Sequence, residues 1–328
     1  MIRFIFKTLA IILVIYGIFW LFSIKSYPTS FGISFDDRYA TSLGLDWKKT
    51  YQAMLHDLKP QFVRIPARWS DIEREENTYS WSTTDYLIKE AGKNNVKVTL
   101  VMGQKVPRWP ECFFPEWSMF LTPTERKEAL LDYVKATINR YKNNPAIEIW
   151  QVENEPFISF AFGECKFFDK SVVKEEVALV RSLDSKHKIL ITDSGELSTW
   201  YPAAKTGDFF GTTLYRVIRD PNGNIWNYDL LPAAFYKLKA KLLGLSHDKF
   251  FVAELQAEPW YASGDANDNS LTDQAKTFDL DRFKKNISYA QHLNASRAYL
   301  WGVEWWYWMK EKHGDATYWE EAKGVVKK

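Results

Sequence analysis

Cysteine and histidine are scarce in this chain: two Cys (Cys112 and Cys165) and five His among 328 residues. No His, Cys or carboxylate cluster shows the spacing of metal ligands, so neither a metal nor any other cofactor is expected. An excess of one charge is also missing. With 43 basic and 41 acidic residues the formal net charge is +2, which gives no electrostatic footprint for nucleic acid. No Gly-rich phosphate loop follows the first strand candidate, where Ser34, Phe35, Asp36 and Asp37 stand, and a dinucleotide-binding fold is left without support. A Schiff-base lysine at a strand end, which an aldolase-type barrel needs, is absent as well. After Pro28 there is no linker, low-complexity tract or sequence repeat.

What is present is the material for a large core: 46% of residues are hydrophobic and 26% charged, a balance that excludes a disordered chain and fits one large domain. Aromatics reach 16%, with 15 Trp. Such rings either fill a core or line a surface that receives flat apolar faces. The first residues differ in kind. Arg3 and Lys7 precede an apolar run from Leu9 to Phe22, the pattern of an export signal. The run is slightly shorter than the ~20 residues that span a bilayer, and Lys25-Ser26-Tyr27-Pro28 offers no small-x-small cleavage site. The expectation is therefore an uncleaved transmembrane anchor with its amino terminus inside, a cleaved signal peptide being the alternative. Residues 1–28 form that segment and residues 29–328 the folded domain, which lies outside the cytoplasm in either case.

From Phe31 onward, short β-branched or aromatic runs alternate with segments of helical periodicity, the pattern of βα units. Strands are expected at Phe31–Phe35, Phe62–Pro66, Val96–Met102, Ile147–Val152, Ile189–Asp193, Phe209–Tyr215, Phe250–Leu255 and Ala298–Glu304. Helices are expected at Thr124–Tyr141, Val172–Leu183, Ala233–Leu243 and Gln274–His292. Eight such pairs close an α/β (β/α)8 TIM barrel, whereas open doubly wound sheets usually stop at five or six strands. Barrel enzymes build their sites at the carboxyl ends of the strands. That rule selects Arg64 and Arg68, Gln104, Glu153 to Glu155, Asp193 and Glu196, Tyr215, Glu254 and Gln256, and Trp301 with Glu304.

Asn154-Glu155-Pro156 after the fourth strand and Glu254 in the seventh resemble the acid/base and nucleophile positions of clan A glycoside hydrolases, the superfamily of many cellulases, mannanases and β-galactosidases. Val63-Arg64-Ile65-Pro66 followed by Trp69 is similar to the second-strand motif of the cellulase-like members. Their Arg supports the nucleophile, Tyr215 stands where they keep a Tyr bonded to it, and Trp301 stands where an eighth-strand Trp floors the reacting sugar's subsite. The resemblance covers the barrel from about Phe31 onward and implies a retaining β-glycosidase working by double displacement, with Glu155 as acid/base and Glu254 as nucleophile. Gln104 departs from the pattern, because those members carry His near the ends of strands three and six, and this leaves the sugar unassigned.

The remaining expectations follow from these placements. Arg64, Asn154 and Tyr215 support the two acids. Trp301, Glu304, Trp69, Trp109 and Trp260 contact substrate, and the indoles around Trp305 and Trp306 stack on sugar. Glu153 points to the other side of its strand and enters a structural salt bridge, Glu258 is the rival nucleophile, and Asp36 and Asp37 cap a turn. Cys112 and Cys165 lie in the loops after strands three and four and form a disulfide, which an exported domain permits. The partners are a carbohydrate and, through the first segment, a membrane; the chain acts as a monomer. A non-catalytic, surface-displayed glycan-binding barrel is the alternative, and it would be expected to have lost one carboxylate.

Overall fold

The computed structural model describes residues 2–159 and 163–327. Eight parallel strands close a barrel: β1 (Ser30–Ser34), β2 (Phe62–Pro66), β3 (Lys97–Met102), β4 (Ile147–Val152), β5 (Lys188–Asp193), β6 (Phe209–Leu214), β7 (Phe250–Gln256) and β8 (Arg297–Trp301). They read as near-continuous apolar runs because both faces are covered, the inner by barrel filling and the outer by helices. After a first helix α1 (Ile2–Ser23), a main helix follows each strand in turn: α2 (Trp47–Ala53), α3 (Ser82–Lys93), α4 (Pro123–Tyr141), α5 (Val173–Leu183), α6 (Tyr201–Thr206), α7 (Ala234–Leu242), α8 (Leu280–Gln291) and α9 (Val303–His313), with shorter helices at Asp37–Ser42, Trp69–Ile72 and Leu271–Gln274. A last helix, α10 (Thr317–Val326), completes the shell.

Local chemistry sets these boundaries. Thr122 and Glu125 form a reciprocal capping box and Pro123 opens α4, a combination that satisfies donors the first turn leaves orphaned. At the amino ends of the strands Phe62, Ile149, Leu190, Phe251 and Tyr299 form a separate buried cluster, and Arg297 bonds Glu148 there through both nitrogens at 2.6 and 2.8 Å. That end is a packed plug, so substrate can enter only at the carboxyl ends.

Two expected boundaries shift. β8 stops at Trp301, because Gly302 takes φ 149°, a conformation that glycine alone adopts without strain, and Val303 then starts α9. Trp305 and Trp306 are consequently helical and buried. Their indoles donate to Gln274 Oε1 and the Ala257 carbonyl, so they pack the core and stack on no sugar. The helix expected from Gln274 to His292 is divided, because Asp279 leaves the helical conformation and its side chain caps α8 by accepting from Arg282 N.

The amino-terminal expectation is met only as a helix. α1 is apolar, and Leu9, Ile11, Leu13, Leu21 and Phe22 are exposed. Among the described residues, however, no helix is long and apolar enough to cross a membrane. Side chains are described from Lys7 onward. α1 rests on the barrel through Tyr16, whose hydroxyl donates to the Leu230 carbonyl at 2.7 Å, and through Ser23 Oγ, which accepts from Ala234 N at 2.8 Å.

Candidate active site

β4 and its loop, together with β7, bring their acceptors to one guanidinium from β2. Arg64, buried in β2, donates through Nε to Gln151 Oε1 (2.7 Å), through Nη2 to Asn154 Oδ1 (2.7 Å) and through Nη1 to Glu254 Oε1 (2.9 Å). A lysine could not serve these three acceptors at once, since only the planar fork projects donors in three fixed directions. The second oxygen of Glu254 accepts from the Tyr215 hydroxyl at 2.8 Å. Both oxygens of this carboxylate are therefore held. Register shifts between β6 and β7 and between β7 and β8 flank Glu254, as expected where a bulge re-aims a side chain at a site.

Glu155 follows β4 on a backbone with φ 45°, and Glu153 two residues earlier has φ 60°. Left-handed backbone at non-glycine residues costs ~1–3 kcal/mol each and concentrates at functional sites. The Glu155 amide donates to Thr192 Oγ1 at 2.9 Å, and its Oε1 accepts from Thr213 Oγ1 at 3.1 Å. Burial first, and the charge of Glu254 second, push the Glu155 carboxyl up to about 8. Glu155 is thus held protonated at neutral pH, as a group that delivers a proton needs to be.

Asn154 is clamped between the two acids. Its Oδ1 accepts from Arg64 and Thr192, and its Nδ2 donates to Glu111 Oε2 at 3.4 Å. Glu111 escaped the sequence reading. Burial raises its carboxyl to about 7, opposed by nearby Lys105. The only signal for it was adjacency to Cys112, which is bonded to Cys165 as expected (S–S 2.02 Å). The disulfide fastens a hairpin after β3, closed by Val106 N to Glu111 O (2.9 Å), Glu111 N to Arg108 O (2.7 Å) and Phe113 N to Gln104 O (2.9 Å). Glu153 supports its base by accepting from the amides of Gln104 (2.8 Å) and Lys105 (2.6 Å). This is the structural role expected of Glu153, performed by backbone amides in place of a salt bridge.

The hairpin carries a second residue that sequence reasoning missed. Arg108 reaches across the mouth to Glu258 from the β7 loop and Glu304 from α9, with Nη2 to Glu304 Oε2 at 3.0 Å and Nη2 to Glu258 Oε2 at 3.2 Å. Its guanidinium carbon lies 3.9 Å from the ring centre of Tyr39 and 4.2 Å from that of Trp301. Glu258, the rival nucleophile, is therefore an ion-pair partner of Arg108. Glu304 is fully buried and its other oxygen accepts from Asp36 N. With both oxygens on protein donors, it does not face a sugar as expected; burial raises its carboxyl to about 8. Asp36 caps the short helix Asp37–Ser42 after β1 by accepting from Tyr39 N at 2.8 Å, whereas Asp37 does not cap but pairs with Arg68 at 2.8 Å.

The expected aromatic platforms separate into different roles. Trp301 sits at the end of β8 over the site, Trp260 packs edge-on against Tyr215 with centroids 4.8 Å apart, and Trp109 is 65% exposed on the hairpin tip. Trp69 does not belong with them. It turns inward, stacks on Tyr133 and donates to Glu73 Oε2 at 2.7 Å. Being fully buried, it offers no face to a substrate.

Comparison with known proteins bears on this arrangement. Residues 48–176 match the model of Glycosyl hydrolase family 10, a stretch that includes Arg64, Asn154 and Glu155 and ends before Glu254. A mannan endo-1,4-beta-mannosidase A of Podospora anserina is 26% identical over 146 residues, 41% of this chain and 36% of that protein. One from Aspergillus aculeatus is 35% identical over 80 residues, 23% of this chain and 19% of the other. The chain thus spans about a third or less of the length of these curated relatives. Among solved structures, xylanase 10B from Thermotoga maritima superposes with TM-score 0.54 at 16% identity, covering 83% of this chain and 82% of that one. A cold-adapted β-galactosidase from Rahnella gives 0.60 at 12% identity, covering 93% and 56%. In fold the chain is a closed (β/α)8 barrel, and its residues 48–176 are similar to glycosyl hydrolase family 10.

Proposed function

We propose that this barrel is a retaining β-glycoside hydrolase of clan A, in which Glu254 attacks the anomeric carbon and Glu155 protonates the departing oxygen. The observation that carries this reading is the asymmetry of the two acids. Glu254 is held by Arg64 and Tyr215 with both oxygens bonded, while Glu155, buried beside it, keeps its proton up to about pH 8. In the first step the Glu254 carboxylate forms a bond to carbon as the glycosidic C–O bond breaks, and the Glu155 proton passes to the leaving oxygen. In the second, Glu155, now a carboxylate, takes a proton from water as that water displaces Glu254, which restores both groups. Asn154, clamped beside both acids, is placed to bond a hydroxyl of the reacting sugar, and Trp301 to support its apolar face.

The partial likeness to mannan endo-1,4-beta-mannosidases supports a β-1,4-linked polysaccharide such as mannan, or a fragment of one, as substrate. We further place the barrel, residues 29–328, outside the cytoplasm as a monomer, with residues 1–28 as its export segment and membrane anchor. The exposed apolar face of α1 and the disulfide support this reading. Release of aryl alcohol from a panel of aryl β-glycosides, with Glu155→Gln and Glu254→Gln as controls, tests the activity. Alkaline carbonate extraction of the full chain from membranes tests the anchor.

A further inference from the structure

An open cleft that binds a polysaccharide internally must leave room for further sugars beyond the reacting one. In this barrel the space past Trp301 is filled. The guanidinium of Arg108 lies between the rings of Tyr39 and Trp301 at 3.9 and 4.2 Å. It is bonded to Glu258 and Glu304, both buried. The void remaining among Ser34, Asp36, Arg64, Arg108, Trp301 and Glu304 is about 10 Å³, enough for one water and too small for a pyranose. Displacing Arg108 would leave the buried acids Glu258 and Glu304 without the guanidinium that bonds both of them, and a sugar brings no such fork in its place. Nor is the hairpin free to swing away, since its strands are hydrogen bonded to each other and tied through Cys112 to Cys165. An acidic sugar is not the natural partner of Arg108, because Glu258 and Glu304 already occupy its guanidinium.

We infer that Arg108 is a specificity-determining wall that closes the glycone end of the site, so that the enzyme removes single sugars from the non-reducing ends of β-linked chains. The inference rests on the hydrolase reading above and deepens it. The polysaccharide chain then extends from the aglycone side only, and the product of each cycle is one monosaccharide and a chain shorter by one unit.

The test uses mannohexaose, cellohexaose and xylohexaose labelled at the reducing end, with the full-length enzyme. On whichever oligosaccharide is cleaved, the first labelled product should be the pentasaccharide. Arg108→Ala should raise the share of shorter labelled first products ~10-fold, the low end of the discrimination that pocket contacts supply. Labelled di- to tetrasaccharides as the wild-type's first products would overturn the inference, as would an unchanged pattern in a folded Arg108→Ala. A second readout needs no turnover: hydroxyl-radical footprinting with mass spectrometry should show Trp301 oxidised several-fold faster in Arg108→Ala, or in Arg108→Met should the alanine variant not fold. Equal oxidation in variant and wild type would sink the wall. Failure to cleave any aryl β-glycoside would count against the hydrolase reading instead, and footprinting would then decide the wall alone.

Discussion

Arg64→Lys should disable the site while the barrel stays folded. Lysine keeps the charge and can stay near Glu254, but it cannot also reach Asn154 and Gln151, which Arg64 bonds at 2.7 Å each. Hydrogen bonds to charged groups contribute ~1.5–3 kcal/mol each. Losing two therefore removes ~3–6 kcal/mol of ordering around the reacting acids. If ~3 kcal/mol of that acts on the transition state, kcat/KM on an aryl β-glycoside falls ~10²-fold. Arg297→Lys is the matching control, because Arg297 makes the same kind of fork to Glu148 at the opposite end of the barrel. It should lower Tm by several degrees and leave kcat/KM within ~2-fold, because the closed end lies away from the site at the carboxyl ends of the strands. A folded Arg64→Lys that retains kcat/KM within ~3-fold of wild type, or an equal loss in Arg297→Lys, would refute the reasoning.

Further outcomes follow from the buried carboxyls and the disulfide. The rate kcat/KM should fall as pH rises through about 8, where Glu155 loses its proton. Thr213→Val removes a donor that favours the charged form, so this limb should move to higher pH in a pH–rate profile; movement to lower pH would contradict the assignment. Stability should fall in the same direction. Glu304 is raised from 4.5 to about 8, and Glu111 and Glu153 to about 7, so their contribution is complete below about 4.5 and is lost as pH rises through about 7 to 8. Urea unfolding at several pH values checks this, and a free energy that grows with pH across that window would be inconsistent. Replacing Cys112 and Cys165 together by Ser should lower stability by up to ~4 kcal/mol on the chain-entropy model. Alkylation of the non-reduced protein should label neither cysteine.

The barrel was legible because its evidence is periodic. Eight apolar runs separated by amphipathic segments gave strand limits within a few residues of those observed, and strand ends in turn nominated Arg64, Asn154, Glu155, Tyr215 and Glu254, which the structure brings together. Where periodicity says nothing, the reading failed. The run from Trp305 to Trp308 is aromatic whether strand or helix, and only the conformation of Gly302 decides between them. Trp69 follows a recognisable motif, yet its direction is set by Tyr133, 64 positions on in sequence but adjacent in space. Arg108 and Glu111 occupy a loop whose path depends on a disulfide and on the amides of Gln104 and Lys105 gripping Glu153. Such long-range constraints leave no local pattern in the sequence.

The division of roles between Glu155 and Glu254 is tested most directly by azide rescue, read as the anomeric configuration of the product by proton NMR. With an activated aryl β-glycoside, Glu155→Ala should still form the covalent intermediate on Glu254. Azide then displaces Glu254 from the opposite face, and a β-glycosyl azide should accumulate. Glu254→Ala has no nucleophile, so azide attacks the β-glycoside directly and the product should be the α-azide. A β-azide from Glu254→Ala together with an α-azide from Glu155→Ala would exchange the two roles and contradict the mechanism derived from this site.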